Sequence, residues 1–265
     1  MTPSPDPDPD RATPTKAERA RSFAGVAAEY ERGRPGYPRA AIEWLLGSAP
    51  LDVLDLGAGT GKLTAGLLDA GHRVIAVEPL GEMREILAAR LPQARVLAGT
   101  AERLPLADAD VDAVVVGAAF HWFDQEPALA EIARVLRPRG VLGLLGNGFD
   151  TTAAWVAHVR EILGPPAIER PGHWPSAEIL RERFAEVDER EFPHAQRLDG
   201  AGLRDLASSR STLAVMPDAE RERVLASLDR LWEQEPELAG HQEVELPWRT
   251  RVRRCRRIGP KESSS

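Results

Sequence analysis

The stretch Val53-Leu54-Asp55-Leu56-Gly57-Ala58-Gly59-Thr60-Gly61 decides how this chain is read. An apolar run ends in three glycines spaced G-x-G-x-G, and the amphipathic stretch KLTAGLLDA begins directly behind them. Glycine adopts positive φ at little cost and lets another molecule approach the backbone closely. A helix opening behind such a turn presents backbone N–H groups that have no intrahelical acceptor. In open α/β sheets ligands bind at this place, beyond the carboxyl end of a strand. The spacing predicts a strand, a cofactor-binding turn and a helix, in that order.

Outward from the loop the same alternation repeats. RVIAV at 73–77 precedes GEMREILAARL, and ARVLA follows at 94–98. VDAVVVGAAF at 111–120 precedes EPALAEIARVL, and GVLGLLGN follows at 140–147. Short apolar strands separated by helical periods argue for a parallel sheet covered on both faces. The expected fold class is α/β, a Rossmann-like doubly wound sheet. Residues 151–163 read as helix, 184–192 as a strand and 241–255 as a strand in part. Two helical stretches lie between those last strands, LRDLASSRSTLAVM and AERERVLASLDRLWEQEPEL. The sum is a seven-stranded mixed sheet with a helical cap inserted late in the chain.

The remaining composition sets limits. The chain has 265 residues and a formal net charge of −7, so it does not suggest a protein that grips nucleic acid by phosphate neutralisation. No apolar run approaches the ~18–20 residues of a membrane span. Cys255 is the single cysteine, which leaves no intrachain disulfide and no multi-thiolate metal site and makes a cytoplasmic protein the expectation. Residues 1–16, rich in Pro and Asp, read as a disordered tail, and 259–265 as another. Between them, 17–258 read as one domain, with a cofactor-binding core at about 36–147 and a substrate cap with the last strands at about 151–258.

The loop also discriminates between cofactors. A dinucleotide turn usually reads G-x-G-x-x-G and faces a pyrophosphate. Here the spacing is G-x-G-x-G, and Asp55 stands two residues before the first glycine. A carboxylate is unfavourable beside a phosphate and favourable beside an ammonium or sulfonium. Glu78 ends the second expected strand, where it can accept bonds from both hydroxyls of a ribose. A nicotinamide cofactor would use Glu78 in the same way, so Asp55 and the glycine spacing carry the distinction.

VLDLGAGTGKLT resembles the first motif of class I S-adenosylmethionine-dependent methyltransferases. The resemblance continues through AVEPLGEM at 76–83, GTAERLPLADADVDAVVV at 99–116, AFHWFD at 119–124 and EIARVLRPRGVL at 131–142. FAGVAAEYERGRPGYP at 23–38, ASSRSTL and VELPWRTRVRRCRR are similar to segments of the small-molecule branch that includes trans-aconitate methyltransferase-like proteins. The resemblance implies S-adenosylmethionine as cofactor and a small organic acceptor, with oxygen of a carboxylate or hydroxyl as the first choice. It implies that Asp55, Gly57 and Gly59 line the methionine moiety, with Ala58 also in the cofactor-binding loop and Gly61 at the turn. Glu78 would bind the ribose, Pro79, Leu80 and Met83 would flank the adenine, and Ala101 and Glu102 would lie at its edge. Ala118 and Phe120 would lie beside the donor sulfur, and Tyr30 and Arg34 in a lid over the cofactor. Thr100 stands where the family often has Asp, which implies either a weaker contact to the adenine amino group or one made by the neighbouring backbone or Glu102.

His121 is the candidate base, because it follows the fourth strand and histidine titrates near neutrality. It would equally serve to shape the pocket. Trp122 and Phe123 read as an aromatic wall or as core. Arg34 and Arg210 are candidate carboxylate clamps, since a guanidinium pairs bidentately with a carboxylate. His72, His158, His173, His194 and His241 show no ligand spacing, and no metal site is expected. Six arginines between 249 and 257 read as a solvated strand edge rather than a nucleic-acid patch, and the N/D-P-P-Y/F signature of amino-methylating nucleic-acid enzymes is absent at 118–121. The rival classes are a non-catalytic S-adenosylmethionine-binding regulatory module and a nicotinamide-dependent oxidoreductase.

Overall fold

A computed structural model describes residues 24–169 and 172–259. The expected tail at 1–16 lies outside the described residues, as does nearly all of 259–265. Seven strands form one mixed sheet: β1 (Asp52–Leu56), β2 (Arg73–Val77), β3 (Arg95–Leu97), β4 (Val111–Gly117), β5 (Leu136–Phe149), β6 (Phe184–Leu198) and β7 (Val244–Arg257). Their order is β3-β2-β1-β4-β5-β7-β6, with β7 antiparallel to both neighbours. This is the doubly wound α/β sheet that the alternation predicts.

The order reverses at β1, which pairs in parallel with β2 on one side and β4 on the other. Crossover helices leave in opposite directions from such a switch point and open a crevice at the strands' carboxyl ends. The helices are α1 (Ala27–Gly33), α2 (Arg39–Leu46), α3 (Lys62–Asp69), α4 (Gly81–Arg90) and α5 (Gln125–Val135). After β5 come α6 (Ala154–Leu163) and α7 (Ala177–Arg181), and between β6 and β7 stand α8 (Gly200–Ser208), α9 (Ser211–Ala214) and α10 (Asp218–Gln234). The buried apolar faces of β1 and β4 meet α5 through Leu129, Ile132 and Val135 on one side and α2 and α3 through Ile42, Leu45 and Leu67 on the other. A separate apolar cluster joins α6, α8 and α10 to the end of β7 through Trp155, Val159, Leu206, Leu228 and Trp248. That second cluster holds the cap over the carboxyl edge.

The structure moves several expected boundaries. β4 stops at Gly117 instead of 120, because Ala118 turns the chain at φ 55 and a 3-10 turn, Phe120–Trp122, follows. β5 begins at Leu136, directly behind α5, and passes Arg139 at φ 62 before the run expected from 140. β6 runs on to Leu198 through Pro193. Proline lacks a ladder donor, and β6 tolerates it because it is an edge strand paired only to β7.

Candidate active site

A cavity of about 890 Å³ opens at the carboxyl ends of β1, β2, β4 and β5, under α1 and the cap. Gly57 and Gly59 form one wall, with Glu78, Pro79, Leu80 and Met83 beside them. Ala118, His121, Trp122 and Phe123 come from the turn behind β4, and Tyr30 and Arg34 from the end of α1. Of the residues singled out in the sequence, these twelve and Arg210 reach the wall.

The three glycines have different reasons to be glycine. All have positive φ, at 70, 58 and 90° for Gly57, Gly59 and Gly61. A Cβ on Gly57 would stand 2.7 Å from Ala119 Cβ, and one on Gly61 2.9 Å from Leu91 Cδ1. Those two glycines let the loop pack on the β4 turn and on α4. A Cβ on Gly59 would meet nothing nearer than Tyr30 Cε1 at 3.9 Å. Gly59 leaves open space between the loop and Tyr30 of α1, which is the cradle a cofactor's backbone contact requires. The loop is tied down from behind, since Gly57 N–H and Ala58 N–H both donate to the Val77 carbonyl, at 2.8 and 3.2 Å.

Glu78 is 6% exposed and joins the loop to β2. Its Oε2 accepts from Gly59 N–H and its Oε1 from Leu80 N–H, each at 2.9 Å. Burial raises its carboxyl above the ordinary glutamate value, opposed by these two bonds. Asp55 lies beneath the loop rather than on the cavity wall, and only 1% of it is exposed. Its Oδ2 accepts from Thr64 Oγ1 at 2.6 Å, while Oδ1 is buried without a partner. Burial pushes this carboxyl up to about 7, the bonds from Thr64 oppose it, and the charge on Glu78 adds to it. A buried acceptor left unsatisfied costs free energy. Two carboxyl groups around an open glycine cradle suit a cationic nucleoside and oppose a pyrophosphate.

Five other expected contacts lie behind the wall. Ala58, Gly61, Ala101, Glu102 and Phe120 do not line the cavity. Phe120 is 1% exposed and packs in the core with Ala101, because the 3-10 turn directs it inward and His121 outward. Glu102 accepts from Asp124 N–H at 2.9 Å and so braces the turn behind β4. Gly61 is a packing glycine against α4.

The arginines are engaged within the protein. Arg34 Nε donates to Ser209 Oγ at 2.9 Å and its Nη2 to the Ser209 carbonyl at 3.2 Å, with the guanidinium 5.4 Å from the Tyr30 ring centre. Its Nη1 makes no hydrogen bond among the described residues, which leaves donors for a carboxylate. Arg210 is buried, and its Nη2 donates to the carbonyls of Gly164 and Pro165 at 3.0 and 2.9 Å. Arg210 therefore fixes the loop behind α6, a use that the clamp expectation did not include.

Several wall residues had escaped sequence reasoning. Asn147 and Gly146 come from β5, Ile168 from the loop after α6, and Ser211 and Thr212 from the cap. Asn147 carried a signal, since it ends an apolar run at the carboxyl edge of the sheet, and Ser211 and Thr212 lie in the ASSRSTL segment that carries the family resemblance. The His121 ring centre lies 4.9 Å from that of His173 and 4.4 Å from that of Trp122. The wall there is aromatic and contains two imidazoles.

Elsewhere the arginine run of β7 is paired with acids of β6. Arg251 and Arg253 both reach Glu189, Arg254 reaches Asp188 and Arg256 reaches Glu186. Among the described residues no group of three or more His, Cys, Asp or Glu side chains is arranged to hold a metal ion, and no helix is long and apolar enough to cross a membrane.

Residues 54–144 match the family model described as a methyltransferase domain. The chain is 42% identical over 241 residues to an uncharacterized methyltransferase of Mycobacterium tuberculosis, covering 90% of this chain and 96% of that one. It is 35% identical over 239 residues to an uncharacterized methyltransferase-like protein of Schizosaccharomyces pombe, covering 87% and 93%. A solved structure from Anabaena variabilis, described as a candidate methyltransferase from an antibiotic biosynthesis pathway, superposes with a TM-score of 0.59 at 26% identity, covering 81% of this chain and 95% of that one.

Proposed function

The chain belongs to the class I S-adenosylmethionine-dependent methyltransferases, and from that premise we propose that it moves a methyl group from S-adenosylmethionine to oxygen of a small organic acceptor, a carboxylate or a hydroxyl. The observation that carries the cofactor reading is the open cradle at Gly59, flanked by the buried carboxyl groups of Glu78 and Asp55.

Glu78 holds the ribose hydroxyls with the lone pairs that Gly59 and Leu80 leave over. Pro79, Leu80 and Met83 flank the adenine, with Ala101 and Glu102 backing that edge from behind the wall. Gly57, Gly59, Ala118 and Tyr30 surround the methionine moiety, and Arg34 pairs with its carboxylate. Asp55 acts from beneath the loop as the counter-charge to the ammonium, while Ala58, Gly61 and Phe120 shape the turns that carry the contacts.

S-adenosylmethionine supplies a methyl group already activated on a sulfonium. The protein's work is then to align the acceptor and exclude water. His121 takes the proton of a hydroxyl acceptor, as a neutral imidazole can near pH 7. A carboxylate acceptor needs no base, and His121 then shapes the aromatic wall with Trp122 and Phe123. One domain spanning about 17–258 suits this reading, with the core at about 36–147 binding the cofactor and the cap at about 151–258 choosing the acceptor. The cap's support for that role is that Arg210, Ser211 and Thr212 line the same cavity as the glycine loop. The single buried thiol, Cys255, suits the cytoplasm.

Thermal denaturation and calorimetry with S-adenosylmethionine, S-adenosylhomocysteine, NAD and NADP test the cofactor. Ligand at 100 times Kd adds about 2.7 kcal/mol, or roughly 5–10 °C for a domain of this size. A shift with the first two alone is expected, and a shift with the dinucleotides alone overturns the cofactor. Labelled donor with a panel of acids and phenols, read by product mass spectrometry, tests the acceptor. Methylation at nitrogen or carbon overturns the oxygen assignment.

A further inference from the structure

Arg34 stands on a short segment, two of whose carbonyls are held by side chains of β5 and β6. α1 ends at Gly33, whose carbonyl is among those that a helix C-terminus leaves without an intrahelical donor. Gln196 Nε2, from β6, donates to it at 2.9 Å. Three residues on, Asn147 Nδ2, from β5, donates to the Gly36 carbonyl at 3.0 Å. The two side-chain amides bracket Arg34. Gly33 also packs against the backbone of α8, where a Cβ would stand 2.3 Å from Leu206 N.

The direction of each bond around Asn147 follows from donor chemistry. A carbonyl accepts only, so the Asn147 atom facing Gly36 is its NH₂ and the atom facing Thr250 is its oxygen. Thr250 Oγ1 lies 2.6 Å from that oxygen, so the threonine proton points to Asn147. Thr250 then has only lone pairs for its other neighbour, His194 Nε2 at 3.0 Å, so His194 donates. His194 Nε2 is also 3.4 Å from Asn147 Oδ1, again as donor to acceptor. A single polarity runs from β6 through β7 to β5 and into the segment that carries Arg34. Thr250 is fully buried, so water does not reach its hydroxyl, while the last link, from Asn147 to Gly36, lies at the exposed end of the chain of bonds.

We propose that Asn147, oriented by Thr250 and His194, and Gln196 are positioning residues that set the Arg34 guanidinium in the cavity. The proposal rests on the reading that Arg34 holds the carboxylate of S-adenosylmethionine. Neither amide needs to touch the cofactor: each fixes a carbonyl on one side of Arg34, while Ser209 fixes the guanidinium's inner edge.

Two measurements test it, calorimetry with S-adenosylhomocysteine and amide hydrogen exchange of residues 33–37 without ligand. Asn147→Ala and Thr250→Val are expected to raise Kd about tenfold, the size of one lost hydrogen bond. Thr250→Ser, which keeps the O–H, is expected to restore the affinity that Thr250→Val loses. In an Arg34→Ala background Asn147→Ala is expected to add no further loss, because it acts through Arg34. Exchange at 33–37 is expected to quicken in Asn147→Ala and Thr250→Val and not in Thr250→Ser. Unchanged affinity in Asn147→Ala, or an equal loss with and without Arg34, overturns the proposal. Failure of the unaltered protein to bind S-adenosylhomocysteine defeats the cofactor reading instead. The exchange experiment then decides the tie alone, and unchanged exchange overturns it.

Discussion

Thr64 Oγ1 donates a 2.6 Å hydrogen bond to Asp55 Oδ2 beneath the glycine loop, where at most 1% of either residue meets solvent. The threonine satisfies one carboxyl oxygen and leaves the other buried without a partner. The fold thus maintains an incompletely satisfied acid beneath the loop that the proposed function assigns to a cationic cofactor.

That acid gives the protein a pH dependence with a definite sign. Its folded-state value of about 7 lies above the ordinary 3.8, so between these values the folded protein holds a proton that the unfolded chain has lost. This group's contribution to stability therefore falls as pH rises through that window, no faster than about 1.4 kcal/mol per pH unit. Asp55→Asn removes the penalty. Urea unfolding at pH 5 and pH 8 is expected to show the variant gaining on the unaltered protein as pH rises. A cationic ligand lowers the Asp55 value, so calorimetry at pH 7 in two buffers is expected to show release of about half a proton with S-adenosylmethionine. No difference between buffers would remove Asp55 from the binding reaction.

Glu78→Gln separates charge from shape. The glutamate accepts backbone bonds on both oxygens, whereas an amide offers one oxygen and turns an NH₂ toward the other donor. Stability is expected to drop by about 1–3 kcal/mol as Gly59 or Leu80 N–H is left unpaired. Affinity for S-adenosylhomocysteine is expected to fall at least tenfold. An unaltered Kd would show that the ribose is held elsewhere.

The glycines are expected to divide into two kinds. Gly61→Ala places a Cβ 2.9 Å from Leu91 Cδ1 and 3.0 Å from Leu87 Cγ at a φ of 90°, so it should destabilise by about 2–4 kcal/mol. Gly59→Ala meets open space at a φ of 58° and should cost about 1 kcal/mol, yet it fills the cradle and should abolish measurable cofactor binding. Thermal melts with and without S-adenosylhomocysteine read both effects. A Gly59→Ala protein that still binds tightly would place the cofactor elsewhere.

His121 is expected to matter to chemistry and little to cofactor affinity. With a hydroxyl acceptor, His121→Gln should lower kcat by about 100-fold and flatten the acid limb of the pH profile. The Kd for S-adenosylhomocysteine should stay within about twofold. A loss of binding with an unchanged pH profile would make His121 a wall residue only.

The local parts of this site are legible in the sequence. Strand, glycine turn and helix are short-range features, and their spacing placed Gly57, Gly59 and Glu78 together at the carboxyl edge. The apolar alternation likewise indicated the first five strands, and the strand-like stretches at 184–192 and 241–255 with helices between them indicated the last two and the late cap. Which way a turn residue points is a different matter. Phe120 faces inward and His121 outward because the core beneath the 3-10 turn takes the phenyl ring, and Glu102 is spent on Asp124 N–H; no local pattern encodes those choices.

Packing between distant segments decided the rest. Asn147, His173, Ile168 and Thr212 meet the glycine loop across one cavity, although they come from separate parts of the chain. Arg210 looked like a ligand clamp in isolation, and the carbonyls of Gly164 and Pro165 claim part of its guanidinium once the cap is folded. Periodicity and turn chemistry act over a few residues, so they specify elements and the loop between them. The acceptor's surroundings depend on how the cap's apolar face seats on the sheet edge, and on which buried donors then find acceptors, which are properties of the assembled chain alone.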